Sequence, residues 1–292
     1  MEVFRSARRP ECDDRAFVLS AVGIPSVITF ENGQFLLWVD VAHTGEAGAH
    51  LRQYESENRP APPPPPPPRL HPNAWVGCLV YAACLMGVAD AISSGLVRLD
   101  AFDAGEFHAA RMQSGQWWRA WTALTLHLDG AHLAANLGAG LWFGYLAARQ
   151  IGSGTAWFLI VNGAALANLF EGLFGPPDHR SVGASTAVFT ALGLMAAFSW
   201  RERYQFSQRW ARRWGPLVAG VVLLGWTGSG SGAEGENVDL VAHVAGFGVG
   251  ILLGATAALP WTRRALDRVP QWLAGVAAFG SIAIAWTCAL RS

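Results

Sequence analysis

From Asn73 onward the chain repeats the feature that most restricts its fold, runs of mostly apolar residues near the roughly 20 needed to span a bilayer as a helix. Runs of this kind read at 74–97, 130–149, 155–175, 184–200, 215–229, 239–260 and 271–289, seven in all, the fifth being short. Composition agrees: 52% of residues are hydrophobic and 14% charged, against about 25% charged in an ordinary soluble domain. The expected class is an all-α polytopic membrane protein with the lipid bilayer as its solvent. A formal net charge of zero leaves no basic footprint, so no nucleic-acid partner is expected. All 21 basic residues are arginine, a compositional bias rather than chemistry. The cysteines at 12, 78, 84 and 288 lack metal-ligand spacing and read as small hydrophobes.

The first 58 residues differ in character. Ala16 to Val22 reads as helix, Ser26 to Glu31 and Gln34 to Asp40 as strands around the hairpin signal Asn32-Gly33, and Glu46 to Asn58 as an exposed helix. So few elements bury little apolar surface. The expectation is a small α+β domain, marginal alone, with dimerisation or packing on the membrane domain as its two routes to further burial. No apolar core with a cleavage site opens the chain, so no secretory signal peptide is expected. Residues 59–72 form a proline-rich linker, nearly all proline from Pro60 to Pro68 and best read as a stiff spacer. Residues 73–292 form the membrane domain.

Arginine placement predicts orientation. The connector after the fourth run holds Arg201, Arg203, Arg209, Arg212 and Arg213, and the one after the sixth holds Arg263, Arg264 and Arg268. Both are expected to be cytoplasmic. The connector from Thr227 to Val238 has no arginine and carries Glu234 and Glu236, which predicts an outside position. With seven spans, the N-terminal domain falls in the cytoplasm and the C-terminus outside.

Polar residues within the apolar runs then converge on one layer. His132 and Asn136 open the second run four residues apart and share a helix face; Ser185 opens the fourth, and His243 lies early in the sixth. These runs all point outside to inside, so the four residues fall at comparable depth in the outer leaflet. A hydroxyl and an imidazole are the minimum set for acyl transfer. Ser185 is the candidate nucleophile and His243 the candidate base. His132, Asn136 and the Ser185 backbone N–H are candidate donors to an oxyanion. Gly246, Gly250 and Gly254 follow His243 on its own face at small-xxx-small spacing, which permits close helix approach. Asp239, four residues before His243, reads as a helix N-cap rather than a third catalytic member. Gly183-Ala-Ser185-Thr-Ala187 lacks the second glycine of a nucleophile elbow, which argues against an α/β-hydrolase. Serine packing and helix-joining hydrogen bonds are the plain alternatives for these residues taken singly.

Taken in order, Trp118-Arg119, His127-x4-His132-x3-Asn136, Gly183-x-Ser185 and Ala242-His243-x2-Gly246-x3-Gly250 resemble the rhomboid intramembrane serine proteases over roughly residues 74 to 260. The resemblance implies a six-helix core plus one C-terminal transmembrane helix. It implies Ser185 as nucleophile, His243 as base, and His132 with Asn136 as oxyanion stabilisers. Trp118 and Arg119 would sit in a long first external loop, residues 98 to 129, that helps to position the core, and His127 would support the watery approach to the site. Two positions depart from the family pattern: Thr186 stands where a glycine follows the serine, and Phe189 stands where a tyrosine is usual.

The function so implied is an intramembrane serine endopeptidase acting on transmembrane protein substrates through a Ser-His dyad, with no cofactor, metal or nucleotide. The alternative is a catalytically inactive rhomboid-like protein that binds transmembrane clients. A transporter fits less well, because the polar residues form one layer rather than a path through the bilayer.

Overall fold

A computed structural model describes residues 1–58, 70–96, 100–206, 209–228 and 239–292. The proline run and the acidic connector after residue 228 lie outside the described residues. The chain divides into two compact units, Met1–Pro66 and Pro67–Ser292.

In the first unit β1 (Glu2–Ser6), α1 (Arg9–Ala21), β2 (Ser26–Glu31), β3 (Gln34–Val39) and α2 (Thr44–Glu57) follow in order. The antiparallel sheet runs β1-β3-β2. Asn32 and Gly33 both hold positive φ, 50° and 80°, as a two-residue hairpin with matching twist requires. Leu19, Ile24, Leu37, Val39, Ala47 and Leu51 form the core. Two expectations need correction. Strand β1 is additional: a register shift between Glu2 and Phe4 breaks the alternation that would have announced it. Helix α1 begins at Arg9 with a proline in its first turn, well before Ala16, because its first half is too polar to show an apolar stripe.

The second unit is mostly helical. Its long helices are α3 (Trp75–Ser93), α7 (Gly130–Ile151), α8 (Ser153–Phe174), α9 (Ser185–Phe206), α10 (Trp210–Gly228), α11 (Leu240–Ala257) and α13 (Gln271–Ala289). Between α3 and α7 lie the short helices α4 (Ala101–Gly105), α5 (Ala109–Gln113) and α6 (Arg119–Thr122), and α12 (Pro260–Leu266) precedes α13. By length and composition α3, α8, α11 and α13 are apolar enough to cross a membrane. The unit is not purely α. Strand β4 (Phe107–His108) pairs antiparallel with β5 (Arg180–Ser181), tying the segment before α7 to the residues that lead into α9. Such a two-residue ladder has no sequence period to reveal it. Arg201 and Arg203 lie within α9, and Arg212 and Arg213 within the first turns of α10, so the arginine-rich connector is shorter than expected.

Polar contacts sort to the two ends of this bundle. At one end the His71 N–H donates to the Arg149 carbonyl, the Gly77 N–H to Ser153 Oγ at 2.8 Å, and Ser199 Oγ to Gln150 Oε1 at 3.1 Å. There Gln271 also exchanges hydrogen bonds with the Thr155 backbone N–H and hydroxyl, and Arg263 pairs with Glu202. At the other end Trp286 Nε1 donates to Thr125 Oγ1 at 2.9 Å. Helices α3, α8 and α13 therefore run one way, and α7, α9 and α11 the other.

Helix α9 is central, packed by α7, α8, α10 and α11. Its closest neighbour is α11, and glycine permits the approach. A Cβ at Gly246 would lie 2.7 Å from the Thr186 carbonyl oxygen, and one at Gly250 or Gly254 would overlap the carbonyl oxygens of Thr190 and Leu194. The contacts advance in step, 186 with 246, 190 with 250 and 194 with 254, so the two helices lie parallel in a fixed register.

Candidate active site

The start of α9 is set by what comes before it. Gly183 holds φ at +132°, a conformation that side chains rarely adopt, and its N–H donates to the Ala123 carbonyl at 2.9 Å. The turn brings Ser185, half-buried, to the first position of the helix. Its backbone N–H is there among the orphan donors at the positive end of the helix dipole.

His132 and Asn136 face this turn from α7. A Cβ on Gly183 would stand 2.8 Å from His132 Nε2 and 3.7 Å from Asn136 Nδ2, so both side chains rest against the residue two before the serine. The Asp129 side chain caps α7 by accepting from the His132 N–H at 2.8 Å. Asn136 is buried; its Nδ2 donates back to the His132 carbonyl at 3.1 Å, and its own carbonyl accepts from Tyr81 Oη at 2.9 Å. His127 completes the group, its ring 5.1 Å from that of His132 and edge-on to it. The Ala184 N–H points to His127 Nε2 at 3.4 Å. Burial, with His132 alongside, holds His127 down to about 4, so it is a neutral acceptor at ordinary pH.

His243 arrives from α11. It is buried, one turn into the helix, and its ring stacks on Phe189 with centroids 4.4 Å apart and planes tilted by 39°. Phe189 lies one turn after Ser185 on the same face of α9. Gly193 lies one turn further along that face, and a Cβ there would overlap the Phe247 carbonyl. The stripe 185–189–193 is thus the face of α9 turned toward 243–247. Gly250 lies deeper, against Thr190. Thr186 is buried and takes the space that Gly246 vacates, a Cβ on Gly246 meeting Thr186 Cγ2 at 3.1 Å.

Trp118 and Arg119 lie in the segment before α7. Arg119 is 2% exposed and donates to the carbonyls of Glu106 at 2.8 Å and Asp103 at 2.7 Å and to Gln116 Oε1 at 2.6 Å. It fastens the loop as a three-point clamp. Burial lowers its pKa to about 10, which still leaves it charged. Trp118 is half-buried and packs edge-on against Trp117.

Asp239 is the N-cap of α11, its Oδ1 accepting from the Ala242 N–H at 3.0 Å. Its other oxygen meets His179 Nε2 at 2.8 Å, and Glu171 Oε1 approaches the same nitrogen at 3.4 Å. Sequence reasoning missed Glu171 and His179. The available signal was Glu171 itself, a lone carboxylate in an apolar run.

A family model described as the Rhomboid domain matches residues 114–260. The chain is similar to the rhomboid protease GluP of Bacillus subtilis (strain 168), 30% identical over 169 residues that make up 58% of this chain and 31% of that protein. It is also similar to the putative rhomboid protease YdcA of the same organism, 26% identical over 140 residues, 48% of this chain and 67% of that one. The chain spans about a third of the length of the first of these relatives. The family match covers half of the chain and encloses Trp118 and Arg119, the turn at Gly183, the start of α9 and all of α11: this integral membrane protein belongs to the rhomboid family.

Proposed function

We propose that this protein is an intramembrane serine endopeptidase in which Ser185 is the nucleophile and His243 its general base. The observation that carries the reading is the stacking of His243 on Phe189, one turn from Ser185 on the same face of α9. Ser185 Oγ attacks the scissile carbonyl carbon while His243 takes the hydroxyl proton. Collapse of the tetrahedral intermediate expels the amine, which receives that proton. Water then attacks the acyl-enzyme, again with His243 as base, and frees both the acid and Ser185. The oxyanion is received by the Ser185 N–H and the side chains of His132 and Asn136, which border the same turn. No metal or nucleotide enters the reaction.

The substrates are transmembrane proteins, bound from the bilayer and unwound locally so that a carbonyl becomes free of its helix. Seven helices cross the membrane, α3, α7, α8, α9, α10, α11 and α13, as a six-helix core plus one. The alternating directions of α3, α7, α8, α9, α11 and α13 support this. The N-terminal domain, residues 1–58, faces the cytoplasm, the linker spans 59–72, the membrane domain begins at 73, and the C-terminus lies outside. The N-terminal domain offers a surface for self-association.

The reading is tested by labelling detergent-purified protein with a fluorophosphonate probe. Wild type is expected to label, and Ser185→Ala and His243→Ala are expected not to. Wild-type protein that stays unlabelled, and still does so as Thr186→Gly, would instead favour a membrane protein that binds clients without cutting them.

A further inference from the structure

We propose that Glu171, His179 and Asp239 form a binding site for a divalent transition-metal ion, zinc or manganese, next to the helix that carries His243. The three residues come from separate elements: the last turn of α8, the connector before β5, and the N-cap of α11. His179 Nε2 lies 2.8 Å from Asp239 Oδ2 and 3.4 Å from Glu171 Oε1. One donor atom from each residue lies within 4.8 Å of the others.

A single imidazole nitrogen carries at most one hydrogen, yet it faces two carboxylates. Glu171 has a side chain only 4% exposed, and its Oε2 is buried with no hydrogen-bond partner. Burying a carboxylate oxygen unpaired is costly. An ion seated among the three donor atoms satisfies all of them together. Bonds of about 2.0–2.2 Å place neighbouring ligands of a tetrahedral ion about 3.3–3.5 Å apart; the Glu171 contact to His179 Nε2, 3.4 Å, has that spacing already, and the Asp239 contact, 2.8 Å, must open to reach it. One nitrogen and two oxygens suit zinc or manganese better than calcium or magnesium, whose sites are built from oxygen. His179 is 28% exposed on its side chain and gives the ion an entry path, while Phe107 stands edge-on to its ring at 5.5 Å.

Such an ion would staple α8 and the connector to the first turn of α11. Asp239 already caps that turn through its other oxygen, so the ion fixes the end of the helix from which His243 projects. Its role is to hold a helix, and it does not depend on the peptidase reading.

The test uses the full chain in detergent, stripped with a chelator and titrated separately with zinc and manganese while binding and unfolding temperature are followed. One ion per chain is expected, with a rise in unfolding temperature. His179→Ala, at a partly exposed position, and Glu171→Gln are each expected to weaken binding at least tenfold. Absence of stoichiometric binding of either metal overturns the site. So does binding that is undiminished in His179→Ala, which would assign the ion elsewhere, for instance to His127 and His132.

Discussion

Phe189 and His243 stack with ring centroids 4.4 Å apart, and this contact ties the orientation of an imidazole on α11 to the helix that begins with Ser185. Phe189 is itself buried with Leu192 and Phe247, so the platform is rigid. Phe189→Leu keeps the site apolar but removes the flat face. It is expected to slow fluorophosphonate labelling by roughly tenfold to a hundredfold, since misplacement of a reacting group by about 1 Å costs on that order. Phe189→Tyr keeps the ring and is expected to stay within a few-fold of wild type. Equal loss in both variants would mean that the ring face is not what orients His243.

The glycines of α11 separate contact from open space along one helix. Alanine at Gly246, Gly250 or Gly254 would press a Cβ into backbone atoms of α9, whereas Gly248 has nothing within 4 Å of a Cβ. Gly250→Ala is expected to destabilise by about 1–3 kcal/mol, the usual range for overpacking. Gly248→Ala is expected to be neutral or stabilising by about 0.5–1 kcal/mol through helix propensity alone. Thermal unfolding of the two variants in the same detergent checks the contrast, and a similar loss in both would contradict the packing described here.

Much of this layout was legible in advance because lipid makes each polar residue conspicuous. Ser185, His132, Asn136 and His243 stand out in apolar runs, and the structure sets His132 and Asn136 against Gly183 and His243 against Phe189. The small-residue spacing after His243 announced the face that meets α9. What escaped depends on closure in three dimensions. The Phe107–Ser181 ladder pairs residues far apart in sequence with no period to mark them. His179 sits in a polar connector, where a histidine is unremarkable until Glu171 and Asp239 flank it. Thr186, which reads as an obstacle to close packing, is accommodated because Gly246 lacks a side chain opposite it.

Arg119 holds the segment before α7 through backbone carbonyls, so its charge cannot be replaced by its volume. Arg119→Met removes the hydrogen bonds to the Asp103 and Glu106 carbonyls and leaves the partly buried loop without this donor. Hydrogen bonds to a charged group contribute about 1.5–3 kcal/mol each, so a loss of about 3 kcal/mol or more is expected. Arg119→Lys, a single point of charge, is expected to recover at most part of it. Chemical or thermal unfolding of the three proteins gives the order, and a lysine variant as stable as wild type would rule out the clamp.

His127 supplies a pH dependence with a defined sign. Burial lowers its folded-state pKa from 6.5 to about 4. Between these values the unfolded chain binds a proton that the folded chain refuses. The stabilisation from His127 is therefore fully present above about pH 6.5 and is lost as pH falls toward 4. The slope cannot exceed about 1.4 kcal/mol per pH unit, and solvent reaching the ring reduces it. His127→Gln retains an acceptor for the Ala184 N–H without titrating. Unfolding temperatures measured from pH 7 to 4 are expected to fall less steeply in this variant, and parallel curves would remove His127 from the acid response.

Asn136 and His132 rest against the same glycine, yet they should fail differently when removed. Asn136 Nδ2 has one hydrogen committed to the His132 carbonyl, which fixes the amide and leaves its second hydrogen for an incoming oxyanion. Asn136→Ala removes that donor and also vacates a buried position, so it should lower both turnover and stability. The turnover loss is expected at about 10²–10³-fold, the range for one oxyanion donor. His132 is only half-buried. His132→Ala is expected to lower turnover by a comparable factor with little change in unfolding temperature. Cleavage of a transmembrane reporter substrate, measured as kcat at saturation alongside thermal unfolding, separates the two effects. If His132→Ala cuts at the wild-type rate, the oxyanion is held by Asn136 and the Ser185 N–H alone, and the imidazole of His132 serves only to shape the turn at Gly183.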